Sequence, residues 1–120
     1  MTAEAIVRAY LAAIESSDLD AVDAFFHPEI VVTEHPNKLN PTGKSYDRGA
    51  LRAAGERGKA GLASQRYVIR GIVAAGNRVC AQTEWIGVTK TGTEIRAHIC
   101  SVFDLVESKI WRQEQYDCFL

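Results

Sequence analysis

The sequence predicts a single α+β domain in which three N-terminal helices cover one face of a strongly curved, mainly antiparallel sheet. Three observations lead there. Apolar residues in the first third recur at three-to-four spacing, and from Ser64 the period changes to two. The four extended segments that follow are joined by turns at Gly76-Asn77, Lys90-Thr91-Gly92 and Glu107-Ser108-Lys109. Helices first and a meander afterwards is the α+β arrangement. Strands this long twist and curl, and helices closing a curled sheet leave a conical cavity.

Each element has its own local reason. Thr2 caps a helix that puts Ile6, Tyr10 and Ile14 on one stripe with Val7 and Leu11 beside it. Asp18 caps a shorter one (Leu19, Val22, Phe25, Phe26) that His27-Pro28 ends. Ile30, Val31, Val32 and Thr33 are β-branched and read as a strand over Glu29 to His35, bounded by the two His-Pro pairs. Asn37 to Gly43 is dense in turn formers and reads as an exposed loop able to fold over a pocket. Asp47 caps a third helix through about Ala63, in which Gly49, Gly55, Gly58 and Gly61 each cost roughly 1 kcal/mol relative to alanine, so it is weak by itself or very closely packed. Strands over Arg66 to Ala75, Arg78 to Val88, Thr93 to Val106 and Ile110 to Phe119 complete the chain.

Composition bounds the function. At 120 residues, 47% of them apolar, the chain builds one core with a small pocket, and it reads as one domain over residues 1–120. Fourteen Lys and Arg against 15 acids, with no long run of either sign, point away from nucleic acid and from a membrane surface and toward a small apolar ligand. Three scattered cysteines and an N-terminus without a signal core read as a cytoplasmic protein with free thiols. No cofactor motif is present, and Cys80, His98, Cys100 and Cys118 lack metal-ligand spacing, so no metal is expected.

The residue that stands out is Glu34, a carboxylate in an apolar strand, where an acid is costly unless it has work or a partner. The bland reading is a salt bridge to Arg66 or Arg70. For Tyr10 it is core packing with a satisfied hydroxyl.

The opening Val7 to Ile14 followed by Ser17-Asp18-Leu19-Asp20, Phe26 before the first strand, and the closing Val102-Phe103-Asp104, Lys109-Ile110 and Tyr116-Asp117 resemble the nuclear-transport-factor-2-like superfamily, also called SnoaL-like or ketosteroid isomerase-like. The resemblance covers nearly the whole chain and implies a cone-shaped, cystatin-like α+β fold. It also implies that Tyr10 stands where ketosteroid isomerase has its oxyanion-hole tyrosine and Glu34 where it has its general base, with Ser101 at the position of the second donor. That enzyme's use of a protonated aspartic acid there is a standard example of a tuned carboxyl, and Ser101 departs from it.

If Ile110 starts the last strand, Trp111, Gln113, Gln115 and Asp117 share a face, which the resemblance turns toward the cavity. SnoaL-like cyclases have an acid near that strand's end, and two acids in one apolar pocket separate in pKa. The resulting expectation is a cofactor-independent isomerase- or cyclase-like enzyme moving protons on an apolar, carbonyl-bearing molecule. Glu34, Tyr10 and Asp117 would be catalytic, and Ser101, Phe103, Trp111, Gln115, His35 and Trp85 would line the ligand site. The alternatives are a non-catalytic ligand- or partner-binding module and an epoxide hydrolase of the limonene type, for which Arg96 is present but His98 stands where an aspartate is needed. Homodimerisation through the outer face of the sheet is also expected.

Overall fold

In a computed structural model describing residues 1–120, the two N-terminal helices form where their caps direct them. In α1 (Ala3–Ser16) the Thr2 hydroxyl accepts from the Ala5 amide at 3.1 Å, and in α2 (Leu19–Asp23) Asp18 accepts from the Ala21 amide at 3.1 Å. These bonds satisfy helix-end amides that would otherwise lack partners. The buried stripe of α1 is Ile6, Val7, Tyr10 and Leu11, and it lies on the sheet.

Strand β1 runs over Phe26–Glu34, three residues earlier than the sequence pattern indicates. Its pairing explains the difference. β1 lies parallel to β6 (Lys109–Phe119), with Phe26 opposite Ile110 and then Val31 opposite Arg112, so His27 to Ile30 have no opposing residue. Pro28, which has no N–H to offer, falls in this gap and interrupts no ladder bond. β2 (Lys44–Tyr46) folds back antiparallel onto β1, an element the sequence pattern does not reveal, and it leads into α3 (Arg48–Gly61), capped by Asp47.

The meander follows as β3 (Leu62–Ala75), β4 (Arg78–Thr89), β5 (Glu94–Val106) and β6. The six-stranded sheet has the order β2-β1-β6-β5-β4-β3, and β1 with β6 is its one parallel pairing. Three helices on a curved, mostly antiparallel sheet are the cone that the sequence predicts. The core fills its narrow end, where Val7, Val79, Phe103 and Ile110 are wholly buried. No helix is long and apolar enough to cross a membrane.

Candidate functional site

Alternation along the strands sorts side chains onto two faces. On the inner face Trp85 lies opposite Ala97, Ile99 opposite Asp117 and Ser101 opposite Gln115, while Tyr67 of β3 pairs with Trp85. These strands line an open-mouthed chamber of about 270 Å³ whose wall includes Glu34, Asn40, Tyr67, Trp85, Gln115 and Asp117. Both predicted acids and two predicted lining residues, Trp85 and Gln115, therefore meet in one cavity.

Glu34 is held by neutral donors rather than by arginine. Its Oε2 accepts from the Asn37 amide at 2.8 Å and the Asn40 amide at 2.6 Å, and its Oε1 accepts from the Tyr46 hydroxyl at 3.2 Å. Arg70, one partner offered by the bland reading, instead binds Glu84 on the outer face. The loop reaches Glu34 because Gly43 closes it at φ +71°, where a Cβ would also lie 2.8 Å from the Glu34 carbonyl oxygen.

Asp117 sits in a different environment. Burial raises its carboxyl to about 6, the paired bonds from Gln115 work against this, and the Glu34 charge adds to it. Gln115 Nε2 donates to both carboxylate oxygens of Asp117, at 2.9 and 3.1 Å, and its Oε1 accepts from Gln113 Nε2 at 3.1 Å. The chain of amides ends at Gln113, only 4% exposed, whose Oε1 is buried without a partner. Burial also raises the Tyr46 hydroxyl, as does the adjoining Glu34 carboxylate, and Tyr67 is raised further by burial and by Tyr10 and Asp117 nearby. Both tyrosines remain neutral donors across the range in which Asp117 titrates.

Five of the nine predicted site residues lie elsewhere. Tyr10 is in the core, its ring edge-on to Phe25, Phe26 and Phe103, and it lines a separate cavity under the helices rather than the acid chamber. Phe103 is wholly buried in that aromatic cluster, and Ser101 is buried between Ala81 and Gln115. Trp111 leaves the inner face because Leu105 pairs with Ile110 and Asp104 with Arg112, so Trp111 is the extra residue of a β-bulge, and its indole lies 4.0 Å from the Arg112 guanidinium. His35 turns to the opposite face from Glu34, stacks on Tyr116 at 4.3 Å and meets Glu114 at 3.3 Å.

Sequence reasoning missed Tyr67, Tyr46, Asn37, Asn40 and Gln65. Tyr67 faces Trp85 only because Arg70 is the extra residue of a β-bulge in β3; counted straight from the Gly76-Asn77 turn, the register would put Val68 there instead. The asparagines read as turn formers, and nothing local aims their amides at Glu34.

The outer face carries other chemistry. Glu84, nearly inaccessible, accepts from Arg96 and from Arg70, and these bonds pull its carboxyl down to about 2. Cys80 and Cys100 are neighbours there at 3.6 Å. No cluster of three or more His, Cys, Asp or Glu side chains is arranged to hold a metal ion.

Residues 7–113 match the model of the SnoaL-like domain. The chain belongs to this family. Solved structures show how widely its fold is shared. A proposed polyketide cyclase from Streptomyces antibioticus is 16% identical with a TM-score of 0.80, covering 98% of this chain and 92% of its own. An epoxide hydrolase of the limonene type from M. tuberculosis is 20% identical with a TM-score of 0.77, covering 98% and 82%. A hypothetical protein with a ketosteroid isomerase-like fold from Catenulispora acidiphila, in complex with trimethylamine, is 18% identical with a TM-score of 0.77, covering 92% and 83%. At such identities the likeness concerns the SnoaL-like fold alone. No curated protein matches the chain in sequence.

Proposed function

We propose that this SnoaL-like chain is a cofactor-independent acid–base enzyme that moves a proton on a small, largely apolar carbonyl compound, in the manner of an isomerase or cyclase. The observation that carries the reading is the shared chamber. Two carboxyls face it, one hydrogen-bonded by three neutral donors and the other raised by burial to about 6. Near neutral pH such a pair offers an acceptor and a group able to gain or lose a proton, which is what enolisation needs.

Glu34 is the base and takes a proton from the carbon next to the carbonyl. Asp117, oriented by Gln115, returns a proton or shares it with the developing enolate. Tyr67, which lines the same chamber, is the better placed hydroxyl to meet negative charge on the carbonyl oxygen, and it replaces Tyr10 in that role. The epoxide-hydrolase reading is the weaker one, because Arg96, the arginine it requires, is engaged with Glu84 on the outer face.

The test is solvent exchange. In D2O the protein is expected to speed deuterium incorporation next to the carbonyl of a cyclic ketone such as 2-decalone, read by proton NMR. A positioned general base contributes about a hundredfold or more, and Glu34→Gln should lose that factor. Equal rates for wild type, Glu34→Gln and buffer would reject the enzyme and favour a non-catalytic binding module.

A further inference from the structure

The face of the sheet turned away from the acid chamber carries all three cysteines of the chain, and two of them meet. The β4–β5 ladder runs from Arg78 opposite Asp104 to Val88 opposite Glu94 without a bulge, so parity holds along it. With Trp85 and Ile99 on the inner face, Cys80 of β4 and Cys100 of β5 stand on the outer one. Val102 lies opposite Cys80 and Gln82 opposite Cys100, which makes the two cysteines diagonal neighbours. Their sulfurs are 3.6 Å apart. Both are free thiols and half-buried, whereas Cys118 is exposed, in the next row along, opposite His98.

The surroundings give this pair a way in and a reason to be reversible. Cys100 lines an outer-face groove of about 490 Å³ together with Gln82, His98, Tyr116 and Cys118, and Arg70 at the groove suits a reagent that carries carboxylates. Burial, and the Cys80 sulfur beside it, hold the Cys100 thiol above its ordinary range, so the pair rests as thiols and reacts slowly. Diagonal neighbours in a sheet stand about 7–8 Å apart, a little beyond the roughly 4.4–6.8 Å between Cα atoms that a disulfide spans. Closing a bond here therefore draws β4 toward β5 and stores strain, and strained bridges are the readily reduced ones.

We infer that Cys80 and Cys100 are a reversible redox pair, which a small-molecule disulfide oxidises to one intrachain bridge between β4 and β5. One thiolate of the pair attacks a sulfur of the oxidant, forming a mixed disulfide and expelling a thiolate. The second thiol loses its proton and attacks the protein sulfur of that mixed disulfide, expelling the other thiolate. One S–S bond and two S–H bonds are exchanged for the same number, both protons end on the released thiols, and the oxidant takes both electrons. The inference goes beyond the proton-transfer reading and holds whether or not Glu34 and Asp117 catalyse.

Oxidised glutathione added to the reduced protein tests it, with free thiols counted by alkylation and the bridge located by mass spectrometry of an unreduced digest. The expected result is a Cys80–Cys100 linkage within one chain that forms over minutes to hours and reopens in excess reduced glutathione. Cys118→Ser should close the bridge as wild type does, while Cys80→Ser and Cys100→Ser should each leave the remaining thiol of the pair unbridged. Val73 faces Cys80 and Tyr116 faces Cys100 on the surface expected to pair two chains, so the oxidation is repeated on the Val73→Glu, Tyr116→Glu double variant, which should also close. The inference is overturned if neither wild type nor that variant forms the linkage, if Cys118→Ser prevents it, if the only disulfides join two chains, or if the bridge resists excess reduced glutathione.

Discussion

Replacing Gly87 by alanine puts one methyl group against the wall of the acid chamber. Gly87 lies two residues from Trp85 on the inner face of β4, and the indole folds back over it: a Cβ there would stand 2.7 Å from Trp85 Cζ2 and closer still to Cη2. No side chain tolerates such an approach, so the ring must swing away. That movement breaks the Trp85 Nε1 to Gln65 Oε1 bond. Overpacking costs about 1–3 kcal/mol and the lost hydrogen bond about 0.5–1.5 kcal/mol, against a gain of about 0.5–1 kcal/mol for relieving a strand glycine. The net expectation is a loss of about 1–3 kcal/mol in urea unfolding, with a changed Trp emission. Gly71→Ala is the control, because its Cβ would make an ordinary contact of 3.8 Å with Gln82 Oε1, and it should gain about 0.5–1 kcal/mol. Wild-type stability and emission for Gly87→Ala would refute the reasoning.

Three further outcomes follow from the same structure. A raised carboxyl pKa means that the folded state holds its proton more tightly than the unfolded one, so the Asp117 contribution is fully present below about pH 4 and is lost as pH rises through about 6. Asp117→Asn removes that loss, and after discounting for partial exposure it should stabilise the protein by about 1 kcal/mol at pH 8 and little at pH 4, read as melting temperature; a variant less stable at pH 8 would contradict this. Glu107 and Ser108 form the β5–β6 turn with φ of 52° and 62°, a strained conformation for side-chain-bearing residues, so Ser108→Gly should gain about 0.5–1 kcal/mol in chemical denaturation. On the outer face Val73 and Tyr116 are 72% and 47% exposed, as suits the proposed homodimer, and introducing Glu at both positions should convert a dimer to monomer in light scattering.

The parts of this molecule that sequence reveals are those fixed by local chemistry. Thr2, Asp18 and Asp47 cap helices because an oxygen in that position satisfies a free amide whatever lies beyond. The meander was legible because turn residues punctuate long runs of period two. β2 was not, since three residues become a strand only when β1 supplies the partner. Parity carried Asp117 to the inner face because the bulge of β6 falls before Gln113, leaving Gln113, Gln115 and Asp117 in step; the same bulge displaced Trp111. Tyr10 was placed correctly on its helix stripe, yet which cavity it lines depends on how the helices settle on the sheet, and local pattern does not carry that. The setting of Glu34 could not be read at all, because it rests on loop amides brought back by the turn at Gly43.

The central claim is that Glu34 and Asp117 share one chamber and feel each other there. Carboxyl 13C titration of Asp117, in wild type and in Glu34→Gln, measures this directly. The structure predicts a midpoint near 6 in the wild type, falling when the Glu34 charge is removed. A midpoint near 4 that is indifferent to Glu34→Gln would place the two acids in separate, solvated surroundings and contradict the account.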